Sequence, residues 1–103
     1  MTEVGVHDGA PLVVDLRGQA ITSWPVLWEA LRSTCGLPAW FGENLDAWWD
    51  TIETGGISDV LDAHNGLVVE IDEVGMFAPG NPEGGAFLEV TNRSRYAEAH
   101  AFP

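Results

Sequence analysis

Leu67-Val68-Val69-Glu70-Ile71 has the composition of a β-strand, because it is rich in β-branched side chains and almost continuous in apolar residues. A strand of this kind is usually central in its sheet or covered on both faces. A similar run, residues 12–16, ends at the turn-like residues 17–19. Helical patterns separate the two runs, which favours parallel strands joined by a right-handed crossover. The sequence therefore predicts a single α/β domain over residues 1–103.

The segment between the two strands predicts two helices and a loop. Apolar residues recur at helical spacing from about residue 24 until Gly36, which suits a helix end. Pro38 cannot continue that helix, so residues 37–42 are predicted to form a loop that exposes or half-buries aromatic rings. Asn44 then predicts the cap of a second helix, which reaches about Glu53.

The pattern after residue 72 is less decisive. Residues 78–85, APGNPEGG, have the composition of a loop. Residues 87–91 fit a helix or a strand equally well, whereas residues 96–101 favour a helix. The overall prediction is a small parallel sheet of two to three strands packed against three to four helices.

The charge of the chain restricts the class of partner. Sixteen acidic and four basic residues give a net charge of −12, which disfavours contact with nucleic acid phosphates or an anionic membrane. A basic partner is favoured, although acidity that serves only solubility remains an alternative. The hydrophobic fraction of 46% is sufficient for a folded core.

Three features predict a cytoplasmic location. Residues 1–10 contain no cationic segment followed by an apolar run, and no stretch of about 18 apolar residues could span a bilayer. Cys35 is the single cysteine, which excludes an intrachain disulfide and fits a reducing compartment. We expect its thiol to be packed in the core rather than reactive.

Residues 42–53 carry two stripes when they are placed at about 100° per residue on a helix. The apolar stripe comprises Leu45, Trp48, Trp49 and Ile52. The acidic stripe comprises Asp46, Asp50 and Glu53, at the i, i+4 and i+7 positions. The two tryptophans are expected to lie mainly in the core, with an edge of the second one exposed.

The acidic stripe has no lysine or arginine within its helix. Like charges at this spacing repel each other by about 0.2–0.5 kcal/mol per pair. We therefore interpret the stripe as a surface whose compensating charge comes from another molecule, with a solvated face of an acidic protein as the alternative. Trp40 and Phe41 precede the stripe and would add an aromatic anchor to the same surface.

Residues 37–50, LPAWFGENLDAWWD, resemble the signature of the barstar family, the intracellular inhibitors of the ribonuclease barnase. The resemblance implies a barstar-like fold and a basic, extracellular-type ribonuclease as the partner. It also implies that the helix and the preceding loop plug the nuclease active site, where carboxylates replace substrate phosphates against catalytic cations. No cofactor and no metal are implied.

The resemblance also assigns roles to individual residues. Asp50 takes the position of the dominant acid and Asp46 that of the second. Trp40 corresponds to an aromatic side chain that packs on a catalytic histidine. The other implied contacts are Asn44 near the helix start, Trp49 at the rim of the interface, and Glu98. Glu98 is included because residues 96–99 resemble the family's last helix. Glu53 is added to the predicted contacts from the acidic stripe, not from the resemblance.

Some positions depart from the family pattern. Residues 54–56, Thr-Gly-Gly, replace a Gly-Trp pair, so an aromatic contact after the helix is missing. Thr51 occupies the place of a cysteine. A third strand, which the family has after its last helix, is not evident from the sequence.

An enzyme is not predicted. Asp46 and Asp50 could be paired as acid and base, and His7, His64 or His100 could be added, but these residues form no recognised catalytic set.

A metal site is not predicted either, because the acidic cluster Glu70, Asp72 and Glu73 lacks the residue order of a calcium loop. Two other binding functions remain open. One is an acidic module of barstar-like fold that binds a different basic protein without inhibiting a nuclease. The other is a nucleic-acid mimic, although such mimics generally spread their charge over a longer surface.

Overall fold

The computed structural model of the chain describes residues 10–103, which form a three-stranded parallel sheet and four α-helices. The elements in chain order are β1 (Leu12–Asp15), α1 (Trp24–Cys35), α2 (Leu45–Trp49), a π-helical turn (Asp50–Thr54), α3 (Asp59–Asp62), β2 (Leu67–Asp72), a 3₁₀ turn (Gly75–Phe77), α4 (Pro82–Arg93) and β3 (Ala97–Phe102). The strand order is β1-β2-β3, and both pairs are parallel. The predicted α/β class and the parallel pairing of the first two strands are confirmed.

Among residues 10–103, one face of the sheet carries the core and the other is open to solvent. Val14, Val69 and Ala99 align across the three strands and are all buried. The neighbouring row contains Val13, which is 56% exposed, and Glu98, which is also exposed. The prediction of a strand that is central or covered on both faces is confirmed by the central position of β2, whose outward residues Val68, Glu70 and Asp72 are half-buried.

The third strand occupies residues that were predicted to form a helix. In β3 the small residues Ala97 and Ala99 face the core, and Glu98 and His100 between them are exposed, so the segment has the two-residue period of a strand. The helix propensity of alanine and glutamate is overridden by parallel pairing with β2. The side-chain amide of Asn92 also bonds both backbone groups of Ala99, at 2.9 and 3.0 Å.

An aromatic cluster forms the centre of the core and joins three helices. The Trp48 and Phe87 rings stack with centroids 5.6 Å apart, and Trp28 lies 6.1 Å from Trp48. The indole N–H of Trp48 donates to the Thr91 hydroxyl at 2.9 Å, and that hydroxyl donates to the Phe87 carbonyl at 2.8 Å. This chain of bonds fixes α2 against α4 with no unpaired polar group at Trp48.

Cys35 is fully buried at the end of α1, and burial raises the pKa of its thiol to about 11. The prediction of a thiol packed in the core is therefore confirmed. Within residues 10–103, no helix combines the length and apolar composition needed to cross a bilayer. His7, which was considered for an enzyme site, lies outside the described residues.

The prediction of a loop over residues 78–85 is wrong for its second half, because α4 begins at Pro82. The Asn81 side chain accepts a hydrogen bond from the Glu83 N–H at 3.0 Å, and Pro82 suits the first helical position. Gly84 lets the helix approach the 3₁₀ turn closely, since a Cβ there would lie 2.2 Å from the Met76 carbonyl oxygen. Gly85, by contrast, faces open space.

These two glycines give opposite predictions for the same substitution. Gly84→Ala should lower the free energy of unfolding by about 1–3 kcal/mol or more, because the added methyl group meets backbone atoms that cannot move away easily. Gly85→Ala should raise it by about 0.5–1 kcal/mol, because alanine is the better helix former and has room. Urea denaturation of both variants measures the difference, and equal effects would contradict the close packing of α4 on the 3₁₀ turn.

Candidate protein-binding site

Asn44 begins the helix that carries the acidic residues. Its side-chain oxygen accepts a hydrogen bond from the Ala47 N–H at 2.7 Å, and its amide donates to the Gly42 carbonyl at 3.1 Å. The predicted cap is confirmed. Because both ends of the amide serve the chain's own backbone, the side chain fixes where α2 starts, and its role as a partner contact stays a prediction.

Asp46 and Asp50 are both exposed on the helix that Asn44 starts. Their i, i+4 spacing corresponds to about 5–6 Å between Cβ atoms. Within residues 10–103, no basic side chain pairs with either carboxylate. All four basic residues of the sequence are arginines, and each pairs elsewhere: Arg17 with Asp15 and Glu70, Arg32 with Glu43, Arg93 with Glu89, and Arg95 with Glu53.

Glu53 differs from the two aspartates. Its carboxylate accepts hydrogen bonds from the Ser94 hydroxyl at 2.9 Å, the Arg95 N–H at 3.0 Å and the Arg95 guanidinium at 2.8 Å. Its side chain is only 15% exposed. The expectation that another molecule must compensate the whole stripe is therefore wrong for Glu53, whose carboxylate ties the end of its helix to the α4–β3 connection.

The π-helical turn explains why Glu53 leaves the stripe. In this turn the Gly55 N–H bonds the Asp50 carbonyl at 2.9 Å, five residues back rather than four. The angular step of about 100° per residue that placed Glu53 beside Asp50 no longer applies after Asp50. Asp46 and Asp50 precede the change and keep the predicted spacing.

The aromatic residues around the acids divide between surface and core. Trp40 is 70% exposed in the loop before α2, whereas Phe41 is only 5% exposed and packs edge-on against Trp28. The prediction of an aromatic anchor therefore applies to Trp40 and is wrong for Phe41. Trp48 is buried as expected, and Trp49 is half-buried.

Trp49 lies in a shallow groove between α2 and α4. The groove is lined by Leu45, Asp46, Trp49, Val90 and Arg93. Apolar surface and one exposed carboxylate therefore adjoin each other along α2, as the two predicted stripes require. The role of Trp49 as a rim contact stays a prediction.

Glu98 does not lie in a helix, so its assignment to the family's last helix is wrong, and the partner contact inferred from that assignment loses its basis. It is exposed on β3, on the open face of the sheet, where its carboxylate contacts the His100 imidazole. The last helix is α4, whose glutamates are Glu83 and Glu89. The helix start at Asn81-Pro82 was the available signal, since a capping residue followed by proline is typical of a helix N-terminus.

Sequence reasoning also missed a contact that shapes the loop carrying Trp40. Arg32, in the last turn of α1, donates to the Pro38 carbonyl at 3.0 Å and pairs with the Glu43 carboxylate. No spacing rule links an arginine and a glutamate across an irregular loop, so this contact had no signal in the sequence.

The sequence of the chain matches the model of a known protein family. The family model for barstar, described as a barnase inhibitor, matches residues 12–100, from the first residue of β1 into β3. The chain belongs to the barstar family. Comparison with individual curated proteins gives no match.

Membership in the barstar family confirms the resemblance noted in residues 37–50, and the match includes all of α2 and residues 38–43, which we call the Trp40 loop. The family is one of inhibitors rather than enzymes. The third strand that the family has after its last helix is β3, which follows α4. Thr51, in the place of the family's cysteine, is buried and its hydroxyl donates to the Ala47 carbonyl at 2.8 Å.

The different environments of Glu53 and Asp50 predict different effects on stability. Glu53→Gln should lower the melting temperature at pH 7, because it weakens the bonds to Ser94 and Arg95. Asp50→Asn, the matched control on the same helix, should leave the melting temperature unchanged or raise it slightly, since it removes an uncompensated charge.

The effect of Glu53→Gln should also depend on pH. Hydrogen bonds from the Arg95 N–H, and then from its guanidinium and the Ser94 hydroxyl, lower the pKa of Glu53 below its ordinary value. The stability gained from the carboxylate is thus complete above the unfolded pKa of about 4.3 and is lost as pH falls through the folded pKa. Melting curves of wild type and variant should converge at acidic pH, and a constant gap would contradict the assignment.

Proposed function

We propose that this barstar-family protein binds a basic, extracellular-type ribonuclease and blocks its active site with α2 and the Trp40 loop. The partner's cationic groups would contact Asp46 and Asp50, which stand in for the phosphates of RNA. Trp40 would pack against the nuclease surface beside them. Such a protein acts as an immunity factor, because it protects RNA from the nuclease wherever the two proteins meet.

The observation that carries this proposal is the unequal use of charge on the chain. Each of the four arginines pairs with a carboxylate of the chain itself, yet none pairs with Asp46 or Asp50 within residues 10–103. Two exposed carboxylates one helical turn apart therefore stay available to cations of a partner. A ribonuclease active site supplies such cations, because it must bind and stabilise the phosphates of its substrate.

The position of Trp40 supports the same partner. A tryptophan that is 70% exposed leaves a large apolar area in water, and aromatic side chains of this kind are typical of interface hot spots. Phe41 is the next residue and is buried, so it fixes the loop to the core directly beside the exposed Trp40. An aromatic anchor next to paired anions suits a concave, cationic active site better than a flat basic surface.

The decisive prediction concerns Asp50. Titration of the protein into an active barnase-like ribonuclease should stop RNA cleavage at a stoichiometric ratio, and Asp50→Ala should weaken the inhibition at least about 30-fold. This corresponds to the lower end of the roughly 2–5 kcal/mol lost when one partner of a desolvated interfacial ion pair is removed.

Glu98→Ala is the matched control for that titration, because it removes the same charge from the open face of the sheet and should inhibit like the wild type. Full cleavage in the presence of excess wild-type protein, across several such nucleases, would contradict the inhibitor function. In that case the same fold would serve as an acidic module for a different basic protein.

A second prediction concerns the rate of association. Uncompensated carboxylates should steer a basic nuclease toward α2. The association rate should therefore fall about tenfold or more between low and high salt. The Asp46→Asn, Asp50→Asn double variant should show a shallower dependence on salt than the wild type. Stopped-flow mixing at several ionic strengths measures both slopes, and equal slopes would show that these two residues do not steer the encounter.

A further inference from the structure

Arg32 connects the two ends of the loop that carries Trp40. From the last turn of α1, its guanidinium donates one hydrogen bond to the Pro38 carbonyl at 3.0 Å and forms an ion pair with the Glu43 carboxylate. The side chain of Arg32 is 27% exposed, so it lies partly beneath the loop rather than on the outer surface.

The Trp40 loop has little regular structure of its own. Its internal backbone hydrogen bond runs from the Phe41 N–H to the Pro38 carbonyl at 3.0 Å, so Pro38 accepts from both Phe41 and Arg32. Glu43 has a φ of +52°, a left-handed conformation that costs free energy for any residue with a side chain. The loop therefore holds its shape only with support from outside, and the contacts of Arg32 supply such support at both ends.

Two neighbouring aromatic side chains of the loop point in opposite directions, one into the core and one into solvent. Phe41 is buried against Trp28, whereas its neighbour Trp40 is the most exposed large hydrophobic residue of the described chain. The direction of Trp40 thus depends on the backbone between Pro38 and Glu43, which Arg32 spans. Immediately after the loop, Asn44 starts the helix that carries Asp46 and Asp50.

We infer that Arg32 is a positioning residue, which preorganises the Trp40 loop for binding through Pro38 and Glu43 without touching the partner. What the loop binds rests on the proposed function, whereas the ordering of the loop does not. A free cation beside Asp46 and Asp50 would weaken the attraction of a basic partner. Arg32 instead pairs with Glu43, so its charge is compensated within the loop that it supports. Without Arg32 the loop samples other conformations, and the apparent dissociation constant rises in inverse proportion to the competent fraction.

The free protein provides the first test. The Phe41 amide proton reports on the Trp40 loop, and the Trp48 amide proton, which bonds the Asn44 carbonyl at 2.9 Å, reports on α2. In Arg32→Ala, hydrogen exchange at Phe41 should quicken by about tenfold relative to Trp48, because local opening does not require the helix to unfold. Loss of global stability alone would speed both protons equally, and that outcome would overturn the inference.

Arg17→Ala is the matched control, since it removes an equally charged, ion-paired arginine from the open face of the sheet and should leave the Phe41 to Trp48 ratio unchanged. Arg32→Lys keeps the charge but cannot form the same forked pair of contacts, so its ratio should lie between those of wild type and Arg32→Ala. Glu43→Gln leaves α1 intact and should also quicken exchange at Phe41. If the ratio of exchange rates at Phe41 and Trp48 equals the wild-type ratio in both Arg32→Ala and Glu43→Gln, the inference is overturned whether or not a ribonuclease binds.

The second test uses the ribonuclease titration. Where the wild type inhibits, Arg32→Ala should reach full inhibition at higher concentration, with an inhibition constant raised by about tenfold, and Arg17→Ala should match the wild type. An unchanged constant in Arg32→Ala, despite faster exchange at Phe41, would show that loop order does not matter for binding. A wild type that inhibits no ribonuclease would instead contradict the proposed function, while the exchange ratio still decides the role of Arg32 in the loop.

Discussion

The hydrogen bond from the Trp48 indole to the Thr91 hydroxyl is the constraint on which the rest of the site depends. An indole N–H that is buried without an acceptor is costly, and the Thr91 hydroxyl opposite Trp48 supplies that acceptor in the core. That requirement fixes the rotation of α2 against α4. Once Trp48 points inward, Asp46 and Asp50 must lie on the outer side of the same helix. The acidic surface is therefore a geometric result of how one tryptophan is buried.

The distribution of charge follows a second constraint, the scarcity of cations. With four arginines and sixteen acidic residues, the chain cannot compensate most of its carboxylates. Three of the four arginines serve irregular places or strand ends: Arg32 supports the Trp40 loop, Arg95 holds the end of the π-helical turn, and Arg17 lies at the end of β1, where its guanidinium holds the pKa of Asp15 at about 2. The fourth, Arg93, pairs with Glu89 on the surface of α4. The arginines thus pair with other carboxylates of the chain, and within residues 10–103 those of Asp46 and Asp50 on α2 have no arginine partner.

The parts of the fold that the sequence predicted correctly depend on local signals. The β-branched run of β2, the Asn44 cap and the helical spacing that buries Trp48 each arise within a few neighbouring residues. The parts that were wrong depend on distant partners. Residues 97–102 become a strand because β2 offers a free edge, and Gly84 enters a helix because the 3₁₀ turn needs its small size.

The candidate site divides in the same way. Asp46, Asp50 and Trp40 were identified correctly as an exposed group because they lie within eleven residues of one another. The inward turn of Glu53 needed both the π-helical step and the presence of Arg95, which is 42 residues away in the sequence. The bridge from Arg32 to the Trp40 loop was equally hidden, because it crosses an irregular segment.

The amide of Asn92 has a consequence for how copies of this protein meet at high concentration. An edge strand such as β3 presents unpaired backbone groups on which a strand from another molecule could continue the sheet, the route to fibrous association. Asn92 occupies both the N–H and the carbonyl of Ala99, midway along that edge. An incoming strand would have to displace the amide before it could pair along the whole of β3, so a single side chain interrupts the template without shortening the strand.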